Sequence, residues 1–227
     1  MMQRRNMILG GFALLGLGGW ALTSNMGGRN ATDLTNLPGA PNAQTSSGDF
    51  DTSGISDMVL GNPDAEVTVV EYASFTCPHC AAFHSGPFKQ LKADFIDTGK
   101  IKFVYREVYF DRPGLWASMI ARCGGQEKFF GITDLIYKGQ SNWARAGEPA
   151  AIVNELRKIA RLAGMDNETI EACLQDADKA QTLVAWFEEN KNRDDITSTP
   201  SFLINGTKQS NMAYGDMKAL IEAELES

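Results

Sequence analysis

The chain contains few of the side chains from which proteins build reactive or cross-linked sites. Its 227 residues include only four cysteines and two histidines. Four cysteines are too few for a disulfide-scaffold protein, because such proteins are short and dense in cysteine. A basic surplus is also missing. The net charge of -7 argues against a nucleic-acid-binding protein, which would present a positive field to phosphates.

Long apolar stretches and internal repeats are absent from most of the sequence. After residue 24 no apolar run approaches the ~20 residues that a membrane-spanning helix needs. Hydrophobic residues make up 43% and charged residues 22% of the chain, so it can bury a core and is neither disordered nor collagen-like. Its length suits one compact domain with additional segments, or two modest domains.

The first 24 residues predict an export segment. Arg4 and Arg5 precede an apolar, glycine-rich run over residues 8–22, and this order is typical of a secretory signal. No clean Ala-x-Ala cleavage site follows, so a cleaved signal peptide and an uncleaved membrane anchor both remain open. The two arginines also loosely match a twin-arginine signal, while a presequence or a buried N-terminal helix is the less favoured interpretation. Export implies an oxidising compartment, in which disulfides persist.

Residues 25–55 predict a flexible linker, because they are rich in small and polar residues and show no hydrophobic period. The folded domain is expected over residues 56–227. Within it, residues 67–73 and 101–110 are β-branched and aromatic and predict two buried strands. The helical pattern between them, with a kink at Gly86-Pro87, completes a βαβ unit with parallel strands and a right-handed crossover.

From about residue 113 to 192 the pattern is helical throughout. A strand over residues 199–207 then runs into an Asn205-Gly206 turn, which is a strong hairpin signal. A return strand near 209–212 and a helix over 216–225 follow. The order βαβ, helical insertion, ββα predicts an α/β fold with an inserted all-helical domain. The helices expected in the insertion are Leu115–Cys123, Lys128–Tyr137, Pro149–Ala163, Glu168–Leu174 and Lys179–Asn190.

The reactive side chains concentrate in Cys77-Pro78-His79-Cys80, between the first strand and its helix. A cysteine at a helix N-terminus faces unpaired N–H groups and the positive end of the helix dipole, and both stabilise a thiolate. Pro78 suits the first helical position, where an N–H is not needed. Cys80 is one turn deeper, so the two sulfurs can form a disulfide: Cys77 would exchange and Cys80 would resolve. A donating His79 would stabilise the Cys77 thiolate further, and a stabilised thiolate makes the disulfide a strong oxidant.

Two other interpretations of this motif are less favoured. A zinc site needs about four ligands, whereas Cys77, Cys80 and His84 offer three, with no second Cys-x-x-Cys to complete the set. A purely structural disulfide is disfavoured because so short a loop is strained. We therefore predict redox chemistry and no metal ion at this site.

The surrounding segments resemble a known family. Residues 70–80, Val-Glu-Tyr-Ala-Ser-Phe-Thr-Cys-Pro-His-Cys, are similar to the active-site segment of the DsbA family of bacterial periplasmic thiol:disulfide oxidoreductases. Residues 60–65 resemble the lead-in of the wider DsbA-like thioredoxin group, and residues 199–206 resemble its cis-proline strand. The resemblance covers about residues 58–225 in matching order, including the helical insertion.

The resemblance implies a thioredoxin fold and a function in disulfide bond formation. The Cys77–Cys80 disulfide would be donated to unfolded or newly exported cysteine-containing proteins in the periplasm, and a membrane quinone reductase of the DsbB type would reoxidise it. No cofactor is implied beyond this redox-active disulfide, no nucleic acid is a partner, and the membrane is contacted only through an uncleaved N-terminal segment. In the family the proline matching Pro200 is cis and lies against the disulfide, and the residue matching Thr199 contacts bound peptide.

Other activities on the same fold remain open. Cys-Pro-His-Cys points to the oxidase branch of the family. A periplasmic reductase or isomerase is the alternative, although an isomerase usually brings a dimerisation domain and residues 25–55 are too poor in apolar residues to form one. A metal-carrying binding protein is a further, less favoured alternative.

Glu71 and His84 are the candidate secondary residues. Glu71 lies six residues before Cys77, where the family carries a buried glutamate that helps to move protons to the resolving thiol. A solvent-facing glutamate at a strand end is the alternative. His84 stands where the commonly studied oxidase has an acid, and it could relay protons or simply pack. Our hypothesis is that Glu71 and His84 form a proton path to Cys80.

Cys123 and Cys173 both fall in predicted helices of the insertion, fifty residues apart. A structural disulfide is expected between them in an exported protein, and some DsbA-like proteins carry a second, non-catalytic bond in this region. The spacing alone does not prove the pairing, so two unpaired buried thiols remain the alternative.

Overall fold

A computed structural model of the chain describes residues 50–227. The predicted export segment 1–24 and residues 25–49 of the predicted linker lie outside the described residues. The strands of the described part are β1 (Met58–Gly61), β2 (Val67–Ala73), β3 (Ile101–Glu107), β4 (Ser201–Ile204) and β5 (Thr207–Ser210). Its α-helices are α1 (Pro78–Ser85), α2 (Pro87–Leu91), α3 (Arg112–Cys123), α4 (Gly125–Lys138), α5 (Gln140–Trp143), α6 (Pro149–Leu162), α7 (Asn167–Gln175), α8 (Ala177–Arg193) and α9 (Tyr214–Leu225).

The strands form one sheet in the order β1-β3-β2-β4-β5. β2 and β3 are parallel, with Val67 opposite Ile101, and the other neighbouring pairs are antiparallel. The central position of β2 explains its nearly continuous apolar sequence, because side chains on both of its faces are buried. The parallel pairing of β2 with β3 confirms the parallel strands predicted for the βαβ unit. β1 was not predicted, since four residues are too few to show a period.

The segment between β2 and β3 is broken where the sequence predicts a kink. α1 ends at Ser85, and α2 begins at Pro87 after Gly86. Proline lacks the N–H that would continue the helical hydrogen bonds, so the chain changes direction here. A short π-helical turn, Lys92–Ile96, follows α2 and leads back to the sheet.

The helical insertion comprises α3 to α8, from Arg112 to Arg193. α3 is its centre and packs against α4, α6, α7 and α8. α3 begins three residues earlier than predicted, because the Asp111 carboxylate accepts a hydrogen bond from the backbone N–H of Gly114 and caps the helix. The single turn α5 was not predicted. Its Trp143 is buried and donates from Nε1 to the Ile136 carbonyl at 2.8 Å.

The C-terminal part forms a hairpin and a helix. Asn205 and Gly206 have φ values of 44° and 83° and connect β4 directly to β5, so the return strand begins two residues before its predicted start. α9 then packs against β2 and α2. The observed order confirms the predicted α/β fold with a helical insertion. None of the helices in residues 50–227 is long and apolar enough to cross a membrane.

Candidate active site

The Cys-x-x-Cys segment lies where β2 ends and α1 begins. Cys77 is the residue that precedes the helix, and Pro78 is its first helical residue. The N–H of Cys77 donates to the Ser74 carbonyl at 3.1 Å, and the N–H of Ala81 donates to the Cys77 carbonyl at 3.2 Å. These bonds hold the Cys77 side chain at the N-terminus of α1, where free N–H groups and the helix dipole favour an anion.

The Cys77 thiol is half-buried and strongly acidified. Its Sγ lies 3.5 Å from the Thr199 carbonyl oxygen. A hydrogen bond from the Cys80 thiol is the largest influence that lowers the pKa of Cys77 to about 5, and the backbone N–H groups of Cys80 and His79 contribute. Thr199 also lowers this pKa, and the partial burial of the thiol opposes these influences. Cys77 is therefore a thiolate at neutral pH.

Cys80 has the opposite character. Its side chain is fully buried. Burial raises its pKa far above that of an ordinary thiol, and the neighbouring Cys77 sulfur and the Glu71 charge raise it further. Cys80 therefore remains protonated when the pair is reduced. The two thiols thus differ in the sense that an exchanging and a resolving cysteine require.

Glu71 and His84 are in direct contact behind Cys80. Glu71 has no exposed surface, so it does not face solvent at a strand end. His84 Nε2 lies 3.1 Å from Oε1 and 2.9 Å from Oε2 of Glu71. The imidazole also stacks on the Tyr137 ring at 4.4 Å between centroids, and the Tyr137 and Tyr105 hydroxyls lie 2.6 Å apart. Burial raises the pKa of both tyrosines, so both remain neutral.

Pro78 and His79 are the exposed residues of the motif. His79 lowers the pKa of Cys77 through its backbone N–H, which belongs to the first turn of α1. The sequence suggested the imidazole instead. The Cys80 thiol is the largest influence on the acidity of Cys77, and a stabilising role of the His79 imidazole stays a prediction.

Thr199 and Pro200 reach the site through the sheet. The Thr199–Pro200 peptide bond is cis, and Pro200 is buried. β4 starts at the next residue and pairs antiparallel with β2, with Ser201 opposite Tyr72. This register brings the Thr199 carbonyl beside Cys77, although the two residues are 122 positions apart.

Gln140 was not predicted at the site, but its side chain contacts the active-site loop. Its amide nitrogen Nε2 donates to the Phe75 carbonyl at 2.8 Å and to the Cys77 carbonyl at 2.9 Å. A lone glutamine 63 positions after Cys77 carries no local signal of this role. Only the packing of the insertion brings it there.

The second cysteine pair is joined in the insertion. Cys123 at the end of α3 and Cys173 in α7 form a disulfide, with their Cα atoms 6.0 Å apart. Across residues 50–227, no group of three or more His, Cys, Asp or Glu side chains is placed to hold a metal ion. His84 is bonded to Glu71 instead.

The fold and the unequal thiol pair define the class of thioredoxin-fold thiol–disulfide proteins. A family model described as Thioredoxin matches residues 53–223. A relative from Rickettsia bellii (strain RML369-C), whose name describes a protein-disulfide oxidoreductase, is 37% identical over 171 residues, which are 75% of this chain and 65% of the relative. Disulfide bond formation protein D of Bacillus subtilis (strain 168) is 29% identical over 178 residues, which cover 74% of this chain and 76% of that protein.

Solved structures agree with these relatives. The crystal structure of alpha-DsbA1 from Wolbachia pipientis superposes with a TM-score of 0.69 at 27% identity and covers 75% of this chain and 91% of its own. The chain belongs to the thioredoxin family, and its fold is similar to that of this DsbA-type structure. The resemblance and fold that the sequence predicts are therefore confirmed. The chain spans only 65% of the length of the Rickettsia bellii relative.

Proposed function

We propose that the protein is a thiol oxidase that donates its Cys77–Cys80 disulfide to exported, cysteine-containing proteins. One observation carries this proposal: Cys77 lies at the N-terminus of α1 beside the buried Cys80, and this environment lowers its pKa to about 5. A stabilised thiolate favours the reduced form of the pair, and the corresponding disulfide is therefore a strong oxidant. A reduced form this stable is a weak reductant, which disfavours a reductase.

The proposed exchange has two steps. A substrate thiolate attacks Cys77 Sγ of the disulfide, the Cys77–Cys80 bond breaks, and Cys80 leaves as a thiolate that takes up a proton. A second substrate thiolate then attacks the substrate sulfur of the mixed disulfide, and Cys77 leaves as a stable thiolate. Two electrons pass from the substrate to the protein. A membrane quinone reductase of the DsbB type would remove these electrons and restore the disulfide.

Glu71 and His84 are the proposed proton path for Cys80. Burial makes the Cys80 thiolate unstable, so the departing sulfur needs a proton donor inside the protein. The negative charge of Glu71 raises the pKa of Cys80, and His84 Nε2 lies within hydrogen-bond distance of both carboxylate oxygens of Glu71. A small surface depression adjoins the imidazole and offers a way to solvent. Its lining residues are Ala81, His84, Ser85, Lys89, Asp134, Tyr137 and Lys138.

The proposed place of action is the periplasm, after export directed by residues 1–24. The segment would either be removed or hold the domain at the membrane surface. Fusion of this segment to a reporter that folds only outside the cytoplasm tests the proposal. An inactive fusion would contradict it, and mass spectrometry of the mature N-terminus would distinguish cleavage from anchoring.

The decisive experiment for the activity is the equilibrium of the protein with glutathione, followed by oxidation of a reduced, unfolded test protein. We expect a reduction potential closer to about -120 mV than to about -270 mV. Cys77→Ser and Cys80→Ser should each abolish catalytic oxidation, whereas the Cys123→Ser/Cys173→Ser double variant should retain it. A potential near that of thioredoxin would favour a reductase, and stoichiometric bound zinc or copper would favour a metal carrier.

A further inference from the structure

The active-site loop is tied to the helical insertion by one side-chain amide. Gln140 Nε2 carries two hydrogens, and it donates to the Phe75 carbonyl at 2.8 Å and to the Cys77 carbonyl at 2.9 Å. The Cys77 carbonyl also accepts the N–H of Ala81, so both of its lone pairs are used. The amide thus bridges the two carbonyls on either side of Thr76, at the base of the reactive thiolate.

Gln140 is held firmly enough to position what it contacts. Its side chain is buried, which is unusual for a glutamine unless its polar atoms are bonded. It is the first residue of α5, and three residues later the buried Trp143 anchors this turn through its bond to the Ile136 carbonyl. On the other side, the Phe75 ring packs against the rings of Tyr105 and Tyr137, at centroid distances of 5.7 and 5.3 Å. The loop is therefore clamped between the sheet and α5.

We propose that Gln140 is a positioning residue through which the insertion holds the Cys77 backbone at the N-terminus of α1 and thereby favours its thiolate. The inference rests on the proposed redox role of the Cys77–Cys80 pair. The Gln140 amide places the positive ends of two N–H dipoles next to the loop and fixes the Cys77 backbone at the N-terminus of α1. Both effects favour the thiolate over the thiol. The insertion therefore influences the reaction without contacting either sulfur.

The test uses Gln140→Met, which keeps the length of the side chain and removes both donors. We expect the ratio of thiolate to thiol at a given pH to fall about tenfold, since one buried hydrogen bond corresponds to roughly one pKa unit. The equilibrium constant with glutathione should move about tenfold toward the disulfide, which is about 30 mV for a two-electron couple. Gln140→Glu is nearly isosteric and should raise the pKa of Cys77 more, because it adds a negative charge beside the loop.

Gln126→Met is the matched control. Gln126 also belongs to the insertion, and its Nε2 donates to the Val59 carbonyl of β1 at 2.8 Å. The variant loses the same kind of hydrogen bond, but at β1, which β3 separates from the strand that leads into the motif. The pKa of Cys77 and the glutathione equilibrium should therefore stay at wild-type values. Unchanged values in Gln140→Met and Gln140→Glu as well would overturn the proposal and leave Gln140 a purely structural role.

A measurement on the wild-type protein keeps the proposal testable even if the variants fold poorly. The side-chain amide signals of Gln140, followed by NMR in the reduced protein, should shift with the same midpoint as the Cys77 thiolate, while those of Gln126 should not. Gln140 amide signals that do not shift as the Cys77 thiol titrates would contradict the inference. A wild-type protein that forms no Cys77–Cys80 disulfide with glutathione would instead contradict the proposed function itself.

Discussion

At the scale of single residues, the two thiols of the motif are distinguished by depth and neighbours. Cys77 lies at the N-terminal end of α1, and its pKa is lowered to about 5. Burial raises the pKa of Cys80. Two cysteines three positions apart thus have opposite protonation states at neutral pH. We attribute this difference to the turn of α1, which exposes the first sulfur to free N–H groups and carries the second into the core.

The first prediction concerns this acidity. Ultraviolet absorbance of the reduced protein near the thiolate band should titrate with a midpoint near pH 5, and the transition should be absent in Cys77→Ser. The folded pKa lies below that of an ordinary thiol, so the stabilisation of the reduced protein by this group is complete above the unfolded pKa and is lost as the pH falls through about 5. The difference in unfolding free energy between wild type and Cys77→Ser should therefore grow from pH 5 toward pH 9. A difference independent of pH would contradict the assignment.

The second prediction concerns the proton path. Glu71→Gln preserves shape and removes the buried carboxylate, so the departure of Cys80 from the disulfide should slow by about 100-fold, the lower end of the effect of a positioned acid or base. His84→Ala should slow the same step and change its pH dependence. Rapid mixing of the disulfide form with a thiol peptide measures the step.

Glu107→Gln is the control for this second prediction. Glu107 is also buried in the sheet, but it bonds to Arg122 and Ser118 rather than lying near Cys80. The variant should lower stability and leave the Cys80 step unchanged. Wild-type rates in both Glu71→Gln and His84→Ala would refute the proton path.

At the scale of elements, the glycine that ends β1 decides how closely this edge strand approaches the sheet. Gly61 has a φ of +85°, and a Cβ added there would lie 2.5 Å from the Ile101 carbonyl oxygen. Gly206 in the β4–β5 turn has a φ of +83° and open space around it. The two glycines share a backbone conformation and differ in the room that they have.

The third prediction compares these two positions. Gly206→Ala should lower the free energy of unfolding by about 1 kcal/mol, the cost of a left-handed conformation in a residue with a Cβ. Gly61→Ala should cost roughly 3 kcal/mol, because a clash with backbone is added. Urea unfolding at one pH measures both. Equal costs would show that the edge of the sheet relaxes around the methyl group.

The elements that the sequence predicts best are those whose signals are local. The motif, the apolar run of β2 and the break at Gly86-Pro87 lie within about twenty residues, and Asn205-Gly206 marks its own turn. The start of α3 was missed because Asp111 acts as a cap, which extends the helix beyond its apolar pattern. Within the site, Glu71 and His84 could be paired from their positions around Cys80. Gln140 could not, since its contact depends on how α5 packs.

At the scale of the whole molecule, the Cys123–Cys173 disulfide joins α3 to α7 across fifty residues. The bond restricts the conformations of the unfolded chain and so lowers its entropy. In the chain-entropy model, closing a loop of this length stabilises a protein by about 4 kcal/mol. The bond links the central helix of the insertion to a helix near its surface. We therefore expect its main effect on the stability of the insertion.

The fourth prediction follows from this loop. The Cys123→Ser/Cys173→Ser variant should lose about 4 kcal/mol of unfolding free energy and about 10 °C of Tm at the same protein concentration and pH. Calorimetry measures both quantities. Alkylation of the native wild type followed by mass spectrometry provides the check on the bond itself: two modified cysteines at these positions would contradict it. A loss of less than 2 °C would show that the insertion is held by packing alone.

The order of the cysteines along the chain has a consequence for biogenesis. The proposed active pair uses the first and second cysteines, and the bond of the insertion uses the third and fourth, so neither bridge encloses or crosses the other. In the export proposed above, a chain that crosses the membrane from its N-terminus would present Cys80 as the next cysteine after Cys77, and Cys173 as the next after Cys123. Native pairing therefore requires no reshuffling, and a protein of this kind can acquire its own disulfides in order of emergence, before any dedicated isomerase acts on it.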